Sequence, residues 1–147
     1  MASREIETHS PEETIERGRE IGAGLKLPVV ILLSGELGAG KTTLTKGLAS
    51  GLGAVGEGEV TSPTFTLVHQ YGREPRVFHV DLYRVRDFED LETLGLEDIF
   101  SAPAAVIVEW AEKFSFRTGW PTVRIHLEHV SEDTRRISIT EEPGELG

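Results

Sequence analysis

A glycine-rich segment between an apolar run and a helical pattern constrains the fold of this chain more than any other feature. Residues 35–42 match the consensus G-x-x-x-x-G-K-[ST] at every fixed position. The segment follows the apolar residues 29–33 and leads into residues 41–52, whose pattern favours a helix. Strand, glycine-rich turn and helix, in this order, are the setting in which the consensus forms a phosphate-binding loop. The alternative, a purely structural turn, is disfavoured by that setting.

The residue types in the loop predict how it would hold a nucleoside triphosphate with Mg²⁺. Glycines let the backbone approach the phosphates, so that successive amide N–H groups form a concave anion site. The helix that follows adds the positive end of its dipole. Lys41 is expected to reach the β- and γ-phosphates. Thr42 is expected to offer its hydroxyl to Mg²⁺, which prefers hard oxygen ligands.

Length and composition predict a single domain over residues 1–147, with residues 1–9 and 141–147 as loose termini. The chain has no cysteine, which is typical of a cytoplasmic protein. It lacks an apolar run of about 20 residues, the length that a membrane span needs. The net charge of −10 argues against direct binding to nucleic acid, because phosphate contacts require basic patches. A role on RNA that is held by a partner stays open.

The rest of the chain predicts an α/β fold of the P-loop NTPase type. We expect three layers, with a mixed, mostly parallel central sheet and added antiparallel hairpins. Outside the phosphate loop and its helix, the predicted elements are a helix over 11–25, a strand over 29–34, a hairpin over 66–71 and 76–83, an acidic helix over 87–94, a strand over 104–108, and a closing hairpin over 123–129 and 135–140.

Asp81 is the first of two carboxylates that accompany apolar strands. In strand geometry Asp81 shares one face with His79 and Tyr83. An apolar strand that presents an Asp to Mg²⁺ is the Walker B arrangement. The alternative is a solvated carboxylate at a strand end. His79 is expected to be a packed or hydrogen-bonded structural histidine.

Glu109 ends the second apolar strand. Because ligands of open α/β sheets bind at the carboxyl ends of the strands, Glu109 is expected at the same edge as Asp81. It could orient the attacking water or hold Mg²⁺, and the sequence leaves this choice open. The alternative is a glutamate at a helix N-terminus. Trp110 belongs either to the core or to a stacking surface, and the core is favoured.

A hydroxyl-rich segment at 61–65 follows a glycine-rich connection and could close on the γ-phosphate, as switch loops do. The alternative is a turn that precedes a strand. The chain lacks the [NT]-K-x-D sequence that reads guanine, which favours ATP over GTP. The candidate catalytic residues are Lys41, Asp81 and Glu109, and the candidate metal ligands are Thr42, Asp81 and Glu109. The candidate nucleotide-binding residues are Glu36, Leu37, Gly38, Ala39, Gly40, Lys41, Thr42, Thr43, Thr61 and Ser62.

With these motifs in place, about residues 10–140 resemble the TsaE (YjeE) family of small bacterial P-loop ATPases. The motifs that carry the resemblance are, in order, 35–43, 61–65, 79–84 and 108–110. The phosphate loop is shared with many proteins. The other three motifs at these spacings therefore make the resemblance specific.

The resemblance implies a mixed sheet around a P-loop core and ATP hydrolysis with Mg²⁺. It also implies association with TsaB and TsaD in threonylcarbamoyladenosine modification of tRNA at adenosine 37. Such a protein supports the machinery, does not transfer the threonylcarbamoyl group itself, and meets tRNA only through its partners. Two other functions stay open: a small-molecule P-loop kinase, and a nucleotide-binding module with negligible hydrolysis.

Overall fold

The structure, a computed structural model, describes residues 2–36, 39–54, 68–71, 77–82, 103–110 and 119–143. Within these ranges it has two helices and seven strands. The helices are α1 (Pro11–Ala23) and α2 (Lys41–Gly51). The strands are β1 (Ala2–Thr8), β2 (Val29–Gly35), β3 (Val68–Tyr71), β4 (Val77–Asp81), β5 (Ala105–Glu109), β6 (Thr122–His129) and β7 (Arg135–Glu142).

The strands form one sheet in the order β1-β7-β6-β2-β5-β4-β3. Its centre is parallel, because β2 pairs in parallel with β5 and β6, and β5 with β4. Its edges are antiparallel, where β3 pairs with β4, β7 with β6, and β1 with β7. The predicted mixed α/β sheet is confirmed, and so are both predicted hairpins. The carboxyl ends of β2, β4 and β5 consequently meet at one edge of the sheet.

Residues 2–8 and 141–142 lie in strands, although the sequence predicts 1–9 and 141–147 as loose termini. Strand β1 pairs with β7 along its whole length, from Ala2 opposite Glu141 to Thr8 opposite Arg135. This strand is hard to predict from the sequence because Ile6 is its one large apolar residue. Ile6 packs against the core. Backbone hydrogen bonds with β7 hold β1 in the sheet, although its side chains show no strand pattern. Charged side chains along β1 suit an edge strand, because they oppose pairing with a further chain.

Helix α1 begins as its capping sequence predicts. The Ser10 hydroxyl accepts a hydrogen bond from the Glu13 amide at 3.0 Å, and Pro11 occupies the first turn. The helix ends at Ala23, two residues before the predicted end, with Gly24 as its C-cap. The buried Thr14 hydroxyl lies 2.7 Å from that of Thr8, which fastens the start of α1 to β1.

Helices α1 and α2 touch backbone to backbone through pairs of glycines spaced one turn apart. A Cβ atom on Gly47 would lie 2.0 Å from the Ile15 carbonyl oxygen, and one on Gly51 would lie 2.2 Å from that of Arg19. On the α1 side, a Cβ on Gly18 would lie 2.6 Å from the carbonyl oxygen of Leu44. Larger side chains would therefore push the helices apart and move α2, whose first turn follows the phosphate loop.

The core lies between these helices and one face of the sheet. Val29, Ile31 and Leu33 of β2 belong to the buried cluster that includes residues of both helices. Val30 and Leu32, on the opposite face, are also buried, as is typical of a central parallel strand. The described ranges place no helix on that second face, and the predicted helix over 87–94 lies outside them. Neither described helix is long and apolar enough to cross a membrane.

The glycine contacts predict opposite effects for two alanine substitutions. Gly47→Ala is expected to lower the free energy of unfolding by about 3 kcal/mol, because overpacking of this kind forces backbone shifts. Gly24→Ala is the matched control. Its Cβ would meet nothing closer than 3.7 Å, and its φ of −88° suits alanine, so stability should stay equal or rise by up to about 1 kcal/mol. Urea unfolding of both variants measures this, and equal losses would contradict the close helix contact.

Candidate functional site

The predicted strand before the loop and the predicted helix after it are both present. Strand β2 ends at Gly35 and α2 begins at Lys41. Gly35 has φ 141° and Gly40 has φ 101°, in the region that favours glycine. Gly35 is constrained a second time, because a Cβ there would lie 2.5 Å from the Leu127 carbonyl oxygen of β6. The loop therefore leaves the sheet in a conformation that side-chain-bearing residues would strain.

The Lys41 side chain is folded back onto the loop. It is only 5% exposed, and its Nζ donates to the carbonyl oxygens of Gly35 and, at 3.2 Å, of Glu36. The same Nζ lies 3.8 Å from the centroid of the Trp110 ring. A buried ammonium group needs such contacts, since burial without them is very costly. The Lys41 ammonium group thus lies against the loop, where it contacts two backbone carbonyl oxygens and the Trp110 ring.

Trp110 only partly fits the predicted core position. It is half-buried, and its ring face contacts the Lys41 ammonium group. Its φ of 63° is unusual for a residue other than glycine. Trp110 directly follows the last residue of β5, so this turn lies at the carboxyl edge of the sheet. The contact with Lys41 makes Trp110 part of the site.

The two predicted carboxylates are neighbours at this edge. Asp81 ends β4, Glu109 ends β5, and the two residues are paired in register. Asp81 is 6% exposed and Glu109 is 3% exposed, so neither is a solvated surface group. The Thr42 hydroxyl donates to Glu109 Oε1 at 3.4 Å. The sheet and α2 thereby bring together the three candidate metal ligands named from the sequence.

The predicted structural histidine is confirmed and has a partner that the sequence did not reveal. His79 is fully buried, and its Nε2 contacts Glu109 Oε2. Its Nδ1 lies 3.0 Å from the Tyr71 hydroxyl. A line of hydrogen bonds therefore joins Tyr71, His79, Glu109 and Thr42. The alternation of side chains along β4 predicts from sequence that His79 shares a face with Asp81. The contact of His79 with Glu109 could not be predicted, because it depends on how β4 and β5 are aligned.

The chemistry of this edge suits Mg²⁺ together with a phosphorylated ligand. A hydroxyl and two carboxylates are hard oxygen donors. Within the described ranges, no group of three or more His, Cys, Asp or Glu side chains could hold a metal by itself. Mg²⁺ beside phosphates is commonly held by one or two carboxylates together with phosphate oxygens and water.

The remaining predicted binding residues fall into two groups. Ala39 is buried, and its amide donates to the Glu36 carbonyl oxygen at 3.0 Å. Gly40 and Thr43 face a cavity beside the loop. Four of the predicted residues lie outside the described ranges: Leu37, Gly38, Thr61 and Ser62.

The cavity beside Gly40 and Thr43 is small, with a volume of about 50 Å³. Its other lining residues come from the start of α1 and from the turn between β6 and β7, and they are Ser10, Pro11, Thr14, Asp133 and Arg135. Arg135 donates to the carbonyl oxygens of Ser131, Glu132 and Thr134, each at 3.2 Å, which braces that turn. These residues are distant from the loop in sequence, so spacing could not assign them to the site.

Comparison with known proteins agrees with this architecture. The family described as threonylcarbamoyl adenosine biosynthesis protein TsaE matches residues 8–137. The TsaE protein of Haemophilus influenzae is 45% identical over 112 residues, which cover 76% of this chain and 69% of that protein. The TsaE protein of Bacillus subtilis is 38% identical over 135 residues, which cover 90% and 82% respectively.

A solved structure shares the fold. The crystal structure of Bacillus subtilis YdiB matches with a TM-score of 0.69 and 30% sequence identity, over 99% of this chain and 88% of that chain. The relatives are named as tRNA threonylcarbamoyladenosine biosynthesis proteins. Sequence and fold together show that this chain belongs to the TsaE family of threonylcarbamoyl adenosine biosynthesis proteins.

Proposed function

We propose that this protein is a Mg²⁺-dependent ATPase that supports threonylcarbamoyladenosine modification of tRNA in association with TsaB and TsaD. One observation supports the ATPase more than any other. Lys41, Thr42 and the strand-end carboxylates Asp81 and Glu109 converge on the phosphate loop at a single edge of the sheet. The names of its relatives supply the pathway.

The contacts of Lys41 support phosphate binding. Its ammonium group now rests on the carbonyl oxygens of Gly35 and Glu36, which are neutral acceptors. Phosphate oxygens are charged acceptors and form stronger hydrogen bonds with an ammonium group. Gly40 has no side chain with which to cap α2, so the positive end of the helix dipole faces the same space.

The oxygen atoms of Thr42 and Asp81 are suited to hold Mg²⁺. When bound, Mg²⁺ would neutralise phosphate charge that grows during hydrolysis. Glu109 has a different task in this proposal, because Oε2 is occupied by His79 and Oε1 faces the Thr42 hydroxyl. A carboxylate fixed in this way is suited to orient a water molecule and accept its proton. Glu109 is therefore assigned to the water and Asp81 to the ion.

The charge of the chain supports action through partners. A net charge of −10 gives little affinity for tRNA, whose backbone is bound by lysine and arginine patches. The protein would then meet tRNA only through TsaB and TsaD. Thr61 and Ser62 are proposed to report the γ-phosphate to that interface, as switch loops do.

Removal of the Lys41 ammonium group tests the assignment of the loop. Lys41→Ala is expected to weaken ATP binding roughly 10- to 150-fold, since a hydrogen bond to a charged group contributes about 1.5–3 kcal/mol, and nearly to abolish hydrolysis. Lys46→Ala is the control, because it removes a lysine from the same helix, five residues after Lys41. Calorimetry with ATP and phosphate release with TsaB–TsaD measure the two effects.

Two outcomes would contradict this function. Normal ATP turnover by folded Lys41→Ala protein would remove the phosphate-loop assignment. A phosphorylated small molecule as the product, in place of free phosphate, would identify a kinase.

Partner binding should depend on nucleotide. We expect affinity for TsaB–TsaD to rise at least about fivefold with Mg²⁺ and ATP, the lower end of typical allosteric coupling, while isolated tRNA binds weakly at physiological salt. Lys41→Ala protein should lose this dependence, and Thr61→Ala should reduce it. Titration of labelled protein with TsaB–TsaD and with tRNA, with and without ATP, measures both. Tight tRNA binding combined with nucleotide-independent partner affinity would contradict the switch.

A further inference from the structure

We propose that His79, held by Tyr71, is a positioning residue that fixes the Glu109 carboxylate in place at the candidate site. The proposal deepens the proposed function and rests on it, because Glu109 is there the group that orients the water. His79 itself is not expected to contact the nucleotide. It acts through Glu109.

The geometry that carries this proposal is a continuous line of hydrogen bonds, which is buried from Tyr71 to Glu109 and partly buried at Thr42. The Tyr71 hydroxyl lies 3.0 Å from His79 Nδ1, His79 Nε2 contacts Glu109 Oε2, and Glu109 Oε1 lies 3.4 Å from the Thr42 hydroxyl. His79 is 0% exposed, Glu109 3% and Tyr71 7%. The line crosses β3, β4 and β5 and ends on the first turn of α2. Bulk water therefore does not compete for the contacts of His79 with Tyr71 and with Glu109.

The two contacts on Glu109 fix more than its position. A glutamate side chain rotates about three bonds, and a single partner would leave the plane of the carboxylate free to turn. Here each oxygen has its own partner, His79 on one side and Thr42 on the other. Catalysis is sensitive to such placement, because a shift of about 1 Å in a reacting group can cost roughly a hundredfold in rate. Loss of His79 should consequently lower kcat.

Tyr71 completes the arrangement because it fixes the imidazole ring. Its hydroxyl can donate to Nδ1 while the Nε2 proton is donated to Glu109, so one neutral tautomer satisfies both contacts. In the antiparallel pairing of β3 with β4, Tyr71 stands opposite Val77 and diagonal to His79. Diagonal neighbours across a sheet are within reach of aromatic side chains, and the two rings lie 5.9 Å apart with a tilt of 44°.

A double-mutant cycle separates positioning from simple packing. A residue that acts only through Glu109 has no further effect on kcat once Glu109 is removed, whereas independent effects multiply. The cycle uses His79→Leu, Glu109→Ala and the double variant. His79→Gln is the conservative variant, because its amide N–H can reach the place of Nε2. Val80→Ala is the stability control, since Val80 is buried on the opposite face of β4.

The measurement is phosphate release from ATP with TsaB–TsaD present, as kcat and KM separately. His79→Leu should lower kcat at least tenfold with KM within threefold, and His79→Gln should recover most of the loss. Tyr71→Phe should lower kcat about threefold. The double variant should be no slower than Glu109→Ala alone. Val80→Ala should lower Tm without lowering kcat. The proposal would be overturned if the fold-loss of kcat in the double variant equalled the product of the two single losses. An unchanged kcat in His79→Leu would also overturn it.

A second readout separates failure of this proposal from failure of the proposed function. If the wild-type protein releases no phosphate under any condition, the ATPase assignment falls, and the His79 link is judged by NMR of its ring nitrogens. Mg²⁺ with a non-hydrolysable ATP analogue should shift the His79 ¹⁵N signals in wild-type protein and leave them unshifted in Glu109→Ala. Unshifted signals in the wild-type protein would overturn the positioning role.

Discussion

Parallel pairing of β4 with β5 sets Asp81 directly opposite Glu109, and pairing of β5 with β2 sets Glu109 opposite Leu33, two residues before the loop begins. The contacts that Glu109 makes with Thr42 and His79 depend on this register. Since successive side chains in a strand point to opposite faces, a slip of one residue would turn Glu109 away from Thr42 and His79. The glycine contacts between α1 and α2 complete the arrangement, because they set where α2 lies.

The site contains a buried ammonium group, that of Lys41, and two buried carboxylates, those of Asp81 and Glu109. Burial of charges is unfavourable unless hydrogen bonds compensate. The carbonyl oxygens of the loop and the Trp110 ring do this for Lys41, and His79 and Thr42 do it for Glu109. Folding alone would be served as well by apolar residues. A binding role explains why these charges are kept at this edge, and why Lys41 contacts carbonyl oxygens of the loop, which a phosphate can displace.

Much of this arrangement could be predicted from local sequence. The phosphate loop, the caps of α1, both hairpins and the two strand-end carboxylates follow from residue types at short spacing. Other features depend on contacts between distant segments. Strand β1 was not predicted because it contains only one large apolar residue, Ile6. The bonds of His79, the contact of Lys41 with Trp110 and the lining of the cavity all require the strand register. The helix over 87–94 and the switch segment over 61–65 stay predictions.

A crystal structure with Mg²⁺ and a non-hydrolysable ATP analogue tests the central claim most directly, because Lys41 must exchange its partners when phosphate binds. We predict that its Nζ leaves the carbonyl oxygens of Gly35 and Glu36 and contacts the β- and γ-phosphates. The ion should lie against the Thr42 hydroxyl on the side of Asp81, with Glu109 still held by His79. A nucleotide bound elsewhere, with Lys41 still on the loop carbonyls, would contradict the account.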